Sequence, residues 1–190
     1  KECIYCHGTL SLKYARIQNV CGTLDINTGG AINIQSVWES KKACGTTTVE
    51  NSIITKCMAP TGSALLLGTQ NQGTSQTPEN CKVTILNSEI FNCSSDGGGT
   101  VRSIGAAVAN LYLTNTVIHH NFSSSGAGLY WNAHGLANAD TKCIINGCTF
   151  SDNIAIDRGG GMMLESSFEF TGNQTLVTNN TAGDQGGGIV

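Results

Sequence analysis

Val177-Thr-Asn-Asn180-Thr-Ala-Gly-Asp184-Gln-Gly-Gly-Gly-Ile189 decides the fold. It holds a short β-prone piece, an Asn, a turn, and a glycine triplet followed by an apolar residue. The same order recurs along the chain. The triplet positions read Gly29-Gly30-Ala31-Ile32, Gly62-Ser63-Ala64-Leu65, Gly97-Gly98-Gly99-Thr100, Gly126-Ala127-Gly128-Leu129, Gly159-Gly160-Gly161-Met162 and Gly186-Gly187-Gly188-Ile189, at offsets of 33, 35, 29, 33 and 27 residues. A second motif precedes most of them: Asn51 to Cys57, Asn87 to Cys93, Asn115 to Asn121, Asn146 to Asn153 and Asn173 to Asn180. Two motifs in fixed order with a varying period mean loops of varying length on a constant frame.

The pieces between turns are too short for helices. Ala31–Ile34, Lys82–Leu86, Leu111–Leu113 and Phe168–Phe170 alternate or run apolar over a few residues and then meet turn residues. A cycle of about 30 residues supplies about three strands, and one cycle cannot bury its inward face alone. Stacked cycles can. Ile32, Leu65, Leu129, Met162 and Ile189 then form one apolar column, and Ile54, Ile90, Ile118, Phe150 and Val177 another. Asn51, Asn87, Asn115, Asn146 and Asn173 would share one turn and bond each other as a ladder. The expected fold class is all-β, a parallel β-helix solenoid of about six coils, with residues 1–190 one segment of a longer repeat protein.

Composition narrows the setting. The chain of 190 residues has 24 Gly, 2 Pro and 9 Cys, with 12% charged residues and a net charge of −3. Scattered basic residues argue against nucleic acid as a partner. No apolar run approaches the roughly 20 residues of a membrane helix, so no membrane insertion by this segment is expected. Nine cysteines without a zinc-type spacing point to an oxidising compartment and to disulfides. Cys57 and Cys93 each follow a column residue by three and would stack on adjacent coils, within disulfide reach. Cys44 and Cys81 lie at matching places before Asn51 and Asn87, and Cys143 with Cys148 would close a local loop. Cys3, Cys6 and Cys21 remain at the N-terminal end.

Gly29–Ile32 and Phe150-Ser-Asp-Asn153 carry a resemblance. They match the GGA[ILV] and FxxN repeats of polymorphic outer membrane proteins, and residues 177–189 look like one whole unit of that family. Ile90-x-x-Cys93 and Ile118-x-x-Asn121 are degenerate copies. The resemblance covers most of the chain after about residue 15. It implies a right-handed β-helix passenger at a cell surface, often adhesive. This excerpt has no β-barrel segment, and its cysteine content exceeds that of a simple bacterial passenger.

Catalytic chemistry on such a solenoid needs carboxylates converging on one face. Asp96, Asp157 and Asp184 precede glycine triplets and would form an acidic column beside Arg158. The plainer reading is that Asp suits turns. His119 and His120 adjoin on a strand, so they are expected to face opposite ways and not to chelate a metal together. Trp38, Tyr130 and Trp131 are the large aromatics, with Tyr130 on the face opposite its neighbours. Sequons occur at Asn92, Asn121, Asn173 and Asn179. Asn92 and Asn179 should turn outward, while Asn121 and Asn173 should be less accessible.

No catalytic, cofactor or metal residue is therefore assigned, and no cofactor is expected. The expectation is a non-enzymatic, extracellular structural or adhesive segment whose partners are copies of itself or adjoining segments, with surface glycans as a further partner. The competing reading is a polysaccharide lyase or hydrolase, or a carbohydrate-binding module.

Overall fold

The computed structural model describes residues 4–6, 8–22, 29–36, 45–69, 81–104, 109–132, 142–165 and 169–190. Among them every regular element is a strand and none is a helix. The strands form four sheets in which successive partners come from successive repeats. The first sheet joins Ile4–Cys6, Ile32–Ser36, Leu65–Thr69, Val101–Ile104, Leu129–Asn132 and Met162–Glu165. The second joins Leu10–Lys13, Thr46–Glu50, Cys81–Leu86, Ala109–Thr114, Lys142–Asn146 and Glu169–Asn173. The third joins Arg16–Gln18, Ile53–Thr55, Glu89–Phe91, Val117–His119, Thr149–Ser151 and Leu176–Thr178. The fourth joins Met58–Ala59, Ser94–Ser95, Phe122–Ser125, Ile154–Arg158 and Thr181–Ala182. The chain visits the sheets in turn and returns to the first one repeat further on, always in parallel.

The two apolar columns are present in register. In the third sheet Ile17, Ile54, Ile90, Ile118, Phe150 and Val177 are successive partners. In the first sheet Ile4, Ile32, Leu65, Val101, Leu129, Met162 and Ile189 are. Val101 fills the gap left by reading the third triplet as Gly97–Gly99. That triplet is shifted by one, so Thr100 stands level with Gly128 and Ala64. The second sheet adds Leu12, Val49, Ile85, Leu113 and Ile145. These side chains, apart from the exposed Ile189, converge in one core. Burying each is worth about 1.5–3 kcal/mol.

Two polar ladders line the interior at the corners. The corner between the third and fourth sheets begins with a residue near φ +50°: Asn19, Lys56, Asn92, His120, Asp152 and Asn179. At the next position in three of these repeats an inward Asn takes up a backbone N–H. Asn121 Oδ1 accepts from Cys93 N at 3.0 Å, Asn153 Oδ1 from Asn121 N at 3.1 Å, and Asn180 Oδ1 from Asn153 N at 3.0 Å. Their amides donate to the carbonyls of Ile90, Ile118 and Phe150. A buried N–H must find an acceptor, and these side chains provide one.

The corner between the second and third sheets uses hydroxyls. Its φ-positive residues are Tyr14, Asn51, Asn87, Asn115, Gly147 and Gln174. Ser52 Oγ accepts from Ala15 N and Ser88 Oγ from Ser52 N, at 3.0 and 3.1 Å. The expected ladder of Asn51, Asn87, Asn115, Asn146 and Asn173 is thus corrected. Asn146 and Asn173 end their strands and pair with each other there. Only Asn115 and Asn87 bond side chain to side chain at the turn, on the surface. Sequence motifs aligned on "first Asn" slip by one residue where Gly147 and Gln174 take the turn.

The glycine triplets are packing positions. A Cβ on Gly30 would strike the Ser63 carbonyl of the next repeat, and one on Gly160 the carbonyls of Thr181 and Gly187. Backbones cross too closely there for any side chain.

Length variation is widest at one corner, and Ile17 to Ile32, at fifteen residues, is the largest departure elsewhere. Val49 to Ile54, Ile85 to Ile90, Leu113 to Ile118 and Ile145 to Phe150 are each five residues apart. Ile54 to Leu65, Ile90 to Val101 and Ile118 to Leu129 are each eleven. Phe150 to Met162 is twelve, and the added residue falls at a register shift beside Ser123 and Ser125. From the first sheet to the second the spacing runs from eight, Ile4 to Leu12, to twenty, Leu65 to Ile85.

Candidate functional site

The outer faces carry three side-chain clusters. On the third sheet Glu89, Val117 and Thr149 are partners, as are Phe91, His119 and Ser151. His119 ends its strand, and His120 is the φ-positive turn residue. The turn rotates His120 back beside His119, so the two rings meet rather than face opposite ways. His119 Nδ1 lies 2.7 Å from His120 Nδ1, and His119 Nε2 lies 2.9 Å from Glu89 Oε1. Phe91 stacks on the His119 ring, centroids 5.1 Å apart and planes 7° apart. An ionised carboxylate only accepts, so the neutral His119 ring carries its proton on Nε2. Its Nδ1 then accepts, and His120 donates from Nδ1. These tautomers follow from the bonding network. His120 is exposed, and its Nε2 keeps a lone pair.

The second cluster lies on the outer face of the first sheet. Arg102 and Tyr130 are partners, as are Asn132 and Glu165. Tyr130 Oη donates to Glu165 Oε2 at 2.8 Å, and Asn132 Nδ2 donates to the same oxygen at 2.8 Å. The Arg102 guanidinium covers the Tyr130 ring at 4.8 Å and donates to the Gly97 carbonyl. Burial raises the Tyr130 phenol above its ordinary range, helped by Glu165. Burial likewise lowers Arg102.

The third cluster contains two of the three acidic turn residues. Arg158 Nε sits 3.7 Å from Asp157 and 3.9 Å from Asp184. Asp184 N donates to the Asp157 carbonyl, so the two are stacked on adjacent repeats. Asp96 stands two repeats away and does not join them. The expected three-carboxylate column is therefore a pair that shares one cation, Arg158. Among the described residues no group of three or more His, Cys, Asp or Glu is arranged to hold a metal.

The aromatic expectations divide. Trp131 faces the core at 1% exposure, which removes it from sugar stacking. Tyr130 faces outward, but Arg102 occupies one ring face. Trp38 lies outside the described residues. Outward apolar side chains gather instead at positions that the motifs do not single out. On the fourth sheet Met58, Phe122 and Ile154 are 53%, 45% and 50% exposed. Ser94 stands between Met58 and Phe122, while Phe122 and Ile154 are direct partners. Ile156, on the same strand as Ile154, is 61% exposed.

The sequons separate by burial. Asn92 and Asn179 are exposed turn residues, as expected. Asn121 is 1% exposed and is a rung of the inner ladder. Asn173 is exposed on the strand Glu169–Asn173, contrary to its expected protection.

Cys57 and Cys93 stand level on adjacent repeats, both buried and both thiols. The hydrogen bond to the Cys57 sulfur, with burial, holds the Cys93 thiol well above its ordinary range. Cys143 and Cys148 are buried thiols as well. Burial, with Cys148 nearby, pushes Cys143 up to about 12. Cys44 lies outside the described residues, as does the side chain of Cys81. Lys82 pairs with Thr46, which sets Gly45 rather than Cys44 level with Cys81.

Protein-family models, curated proteins and solved structures were compared with the chain, and none matches it.

Proposed function

We propose that the chain is a structural or adhesive segment of an extracellular cell-surface protein or fibre, built as a right-handed parallel β-helix of about six coils. The observation that carries this reading is the outward apolar patch of Met58, Phe122, Ile154 and Ile156 on a frame whose own core is already filled. Large exposed apolar side chains gathered on one face suit contact with another surface. The preference of parallel crossover connections for one hand supports right-handedness. The resemblance to polymorphic outer membrane repeats supports surface display, and the sequons Asn92 and Asn179 would carry glycans outward in a secreted eukaryotic protein. Adjoining segments or copies of the chain are the proposed partners, joined end to end by their strand edges or side by side through this patch.

Adhesion of chain-coated beads to cells and to each other tests this, with Phe122→Ser and Ile154→Ser combined as the variant. Both positions are exposed, so the fold should survive. Adhesion or clustering is expected to drop at least about tenfold, the size of effect that losing roughly 1.4 kcal/mol produces. Unchanged adhesion would remove the patch from the mechanism. Turnover of acidic glycans, lost on Asp157→Asn or Asp184→Asn, would replace the reading with the enzymatic one.

A further inference from the structure

We propose that His119 and His120 form a surface site for a late first-row divalent cation, Cu²⁺ foremost, bound through their two Nδ1 atoms and oriented by Glu89. The turn creates the site. Position 120 is held near φ +52°, which brings two neighbouring imidazoles to an Nδ1···Nδ1 distance of 2.7 Å. Two nitrogens bound to one ion at about 2.0–2.1 Å, with an angle near 90°, are about 2.9 Å apart. The rings need only part slightly and rotate until both lone pairs point to one side. His120 is exposed and free to make that rotation.

His119 is already held as a metal-binding imidazole is held. Glu89 accepts from Nε2 at 2.9 Å, which leaves Nδ1 as the basic nitrogen. A carboxylate on the far nitrogen fixes the tautomer and strengthens the ligand. Phe91 lies flat on the ring and limits its rotation. In the free state the gap between the nitrogens is filled by one proton, carried by His120 Nδ1. On binding, that proton moves to His120 Nε2, which faces solvent, and the ion takes its place. No net proton is released when both rings are neutral. Two imidazoles suit copper, nickel and zinc rather than magnesium or calcium, and the affinity should follow Cu²⁺ above Ni²⁺ above Co²⁺. With no third side chain converging among the described residues, water completes the shell.

The site depends on none of the adhesive reading, and its test reads the imidazoles rather than adhesion. Long-range ¹H–¹⁵N spectra of the full chain are recorded during titration with Ni²⁺ or Zn²⁺, with thiols alkylated beforehand. Affinities for Cu²⁺ are measured by calorimetry. The expected result is concerted change at His119 and His120, with the His120 proton moving from Nδ1 to Nε2. His120→Asn places at this turn the residue that Asn92 and Asn179 already supply in other repeats. His119→Thr installs the residue found at Thr55 and Thr178. Both variants should fold and both should lose the two-imidazole signature. Glu89→Gln should keep the signature and weaken binding about 10–100-fold. Binding at His119 that persists unchanged in His120→Asn would overturn the proposal, as would spectra in which neither ring responds.

Discussion

At the scale of single residues, the fold uses Asn in two distinct ways. On the outside it occupies left-handed turns, as Asn51, Asn87 and Asn115 do. On the inside it replaces a missing backbone partner, as Asn121 and Asn153 do. The two uses predict opposite outcomes. Asn153→Ala removes the acceptor of the Asn121 N–H and of its side-chain amide in a buried corner. Urea denaturation should show a loss of about 2–4 kcal/mol, since each orphaned buried donor costs about 1–3 kcal/mol. Asn173→Ala, at an exposed strand end, should change stability by less than about 0.5 kcal/mol. Equal effects would mean that the inner ladder is not a source of stability. The sequence displays both sets of Asn but not which set faces inward. Asn146 and Asn173 look like turn residues in a motif alignment, and only the strand register places Gly147 and Gln174 at the turn instead. His119 and His120 meet, against expectation, for the same reason: alternation holds within a strand and ends at its turn.

At the scale of strands and corners, the columns were legible because apolar residues recur at fixed distances from the turns. Ile54, Ile90, Ile118, Phe150 and Val177 needed no tertiary knowledge beyond stacking. Glu89, Phe91 and Arg102 could not be singled out as site residues, because their partners sit a full repeat away. The pairing of Phe91 with His119 was implicit in the same register, and it is the signal that would have found the cluster. The register also places Cys57 beside Cys93. Strand neighbours in a sheet lie about 4.7–4.9 Å apart, inside the separation a disulfide accepts. Mild oxidation should therefore link these two cysteines. Closing the loop between them should stabilise the chain by roughly 3–4 kcal/mol. Thermal melting of oxidised and reduced chain, beside a Cys93→Ser control, measures it. A midpoint that oxidation leaves unchanged in the parent chain would show that the two sulfurs do not bond.

At the scale of the whole molecule, thiol burial ties stability to pH. The Cys143 thiol ionises at about 12 in the folded chain, above the ordinary value of 9.0 that applies when it is solvated. The folded state therefore holds a proton that the unfolded state has already released. The stabilisation is complete below the unfolded value and is lost as pH rises towards the folded one. Stability should fall by about 1.4 kcal/mol per pH unit over that interval. A Cys143→Val variant should lack this contribution to the slope, which denaturation at several alkaline pH values would reveal. Identical slopes in the two proteins would rule out Cys143 as the source. Repeat solenoids also need not unfold in one step, so each probe should be followed separately.

The corner between the first and second sheets tolerates the widest range of spacings in the described chain. That one segment lies away from both ladders, so its length and sequence can change in any repeat without touching a rung of either. Foreign peptides grafted there would be carried as cargo, displayed in a row at intervals set by the sheet.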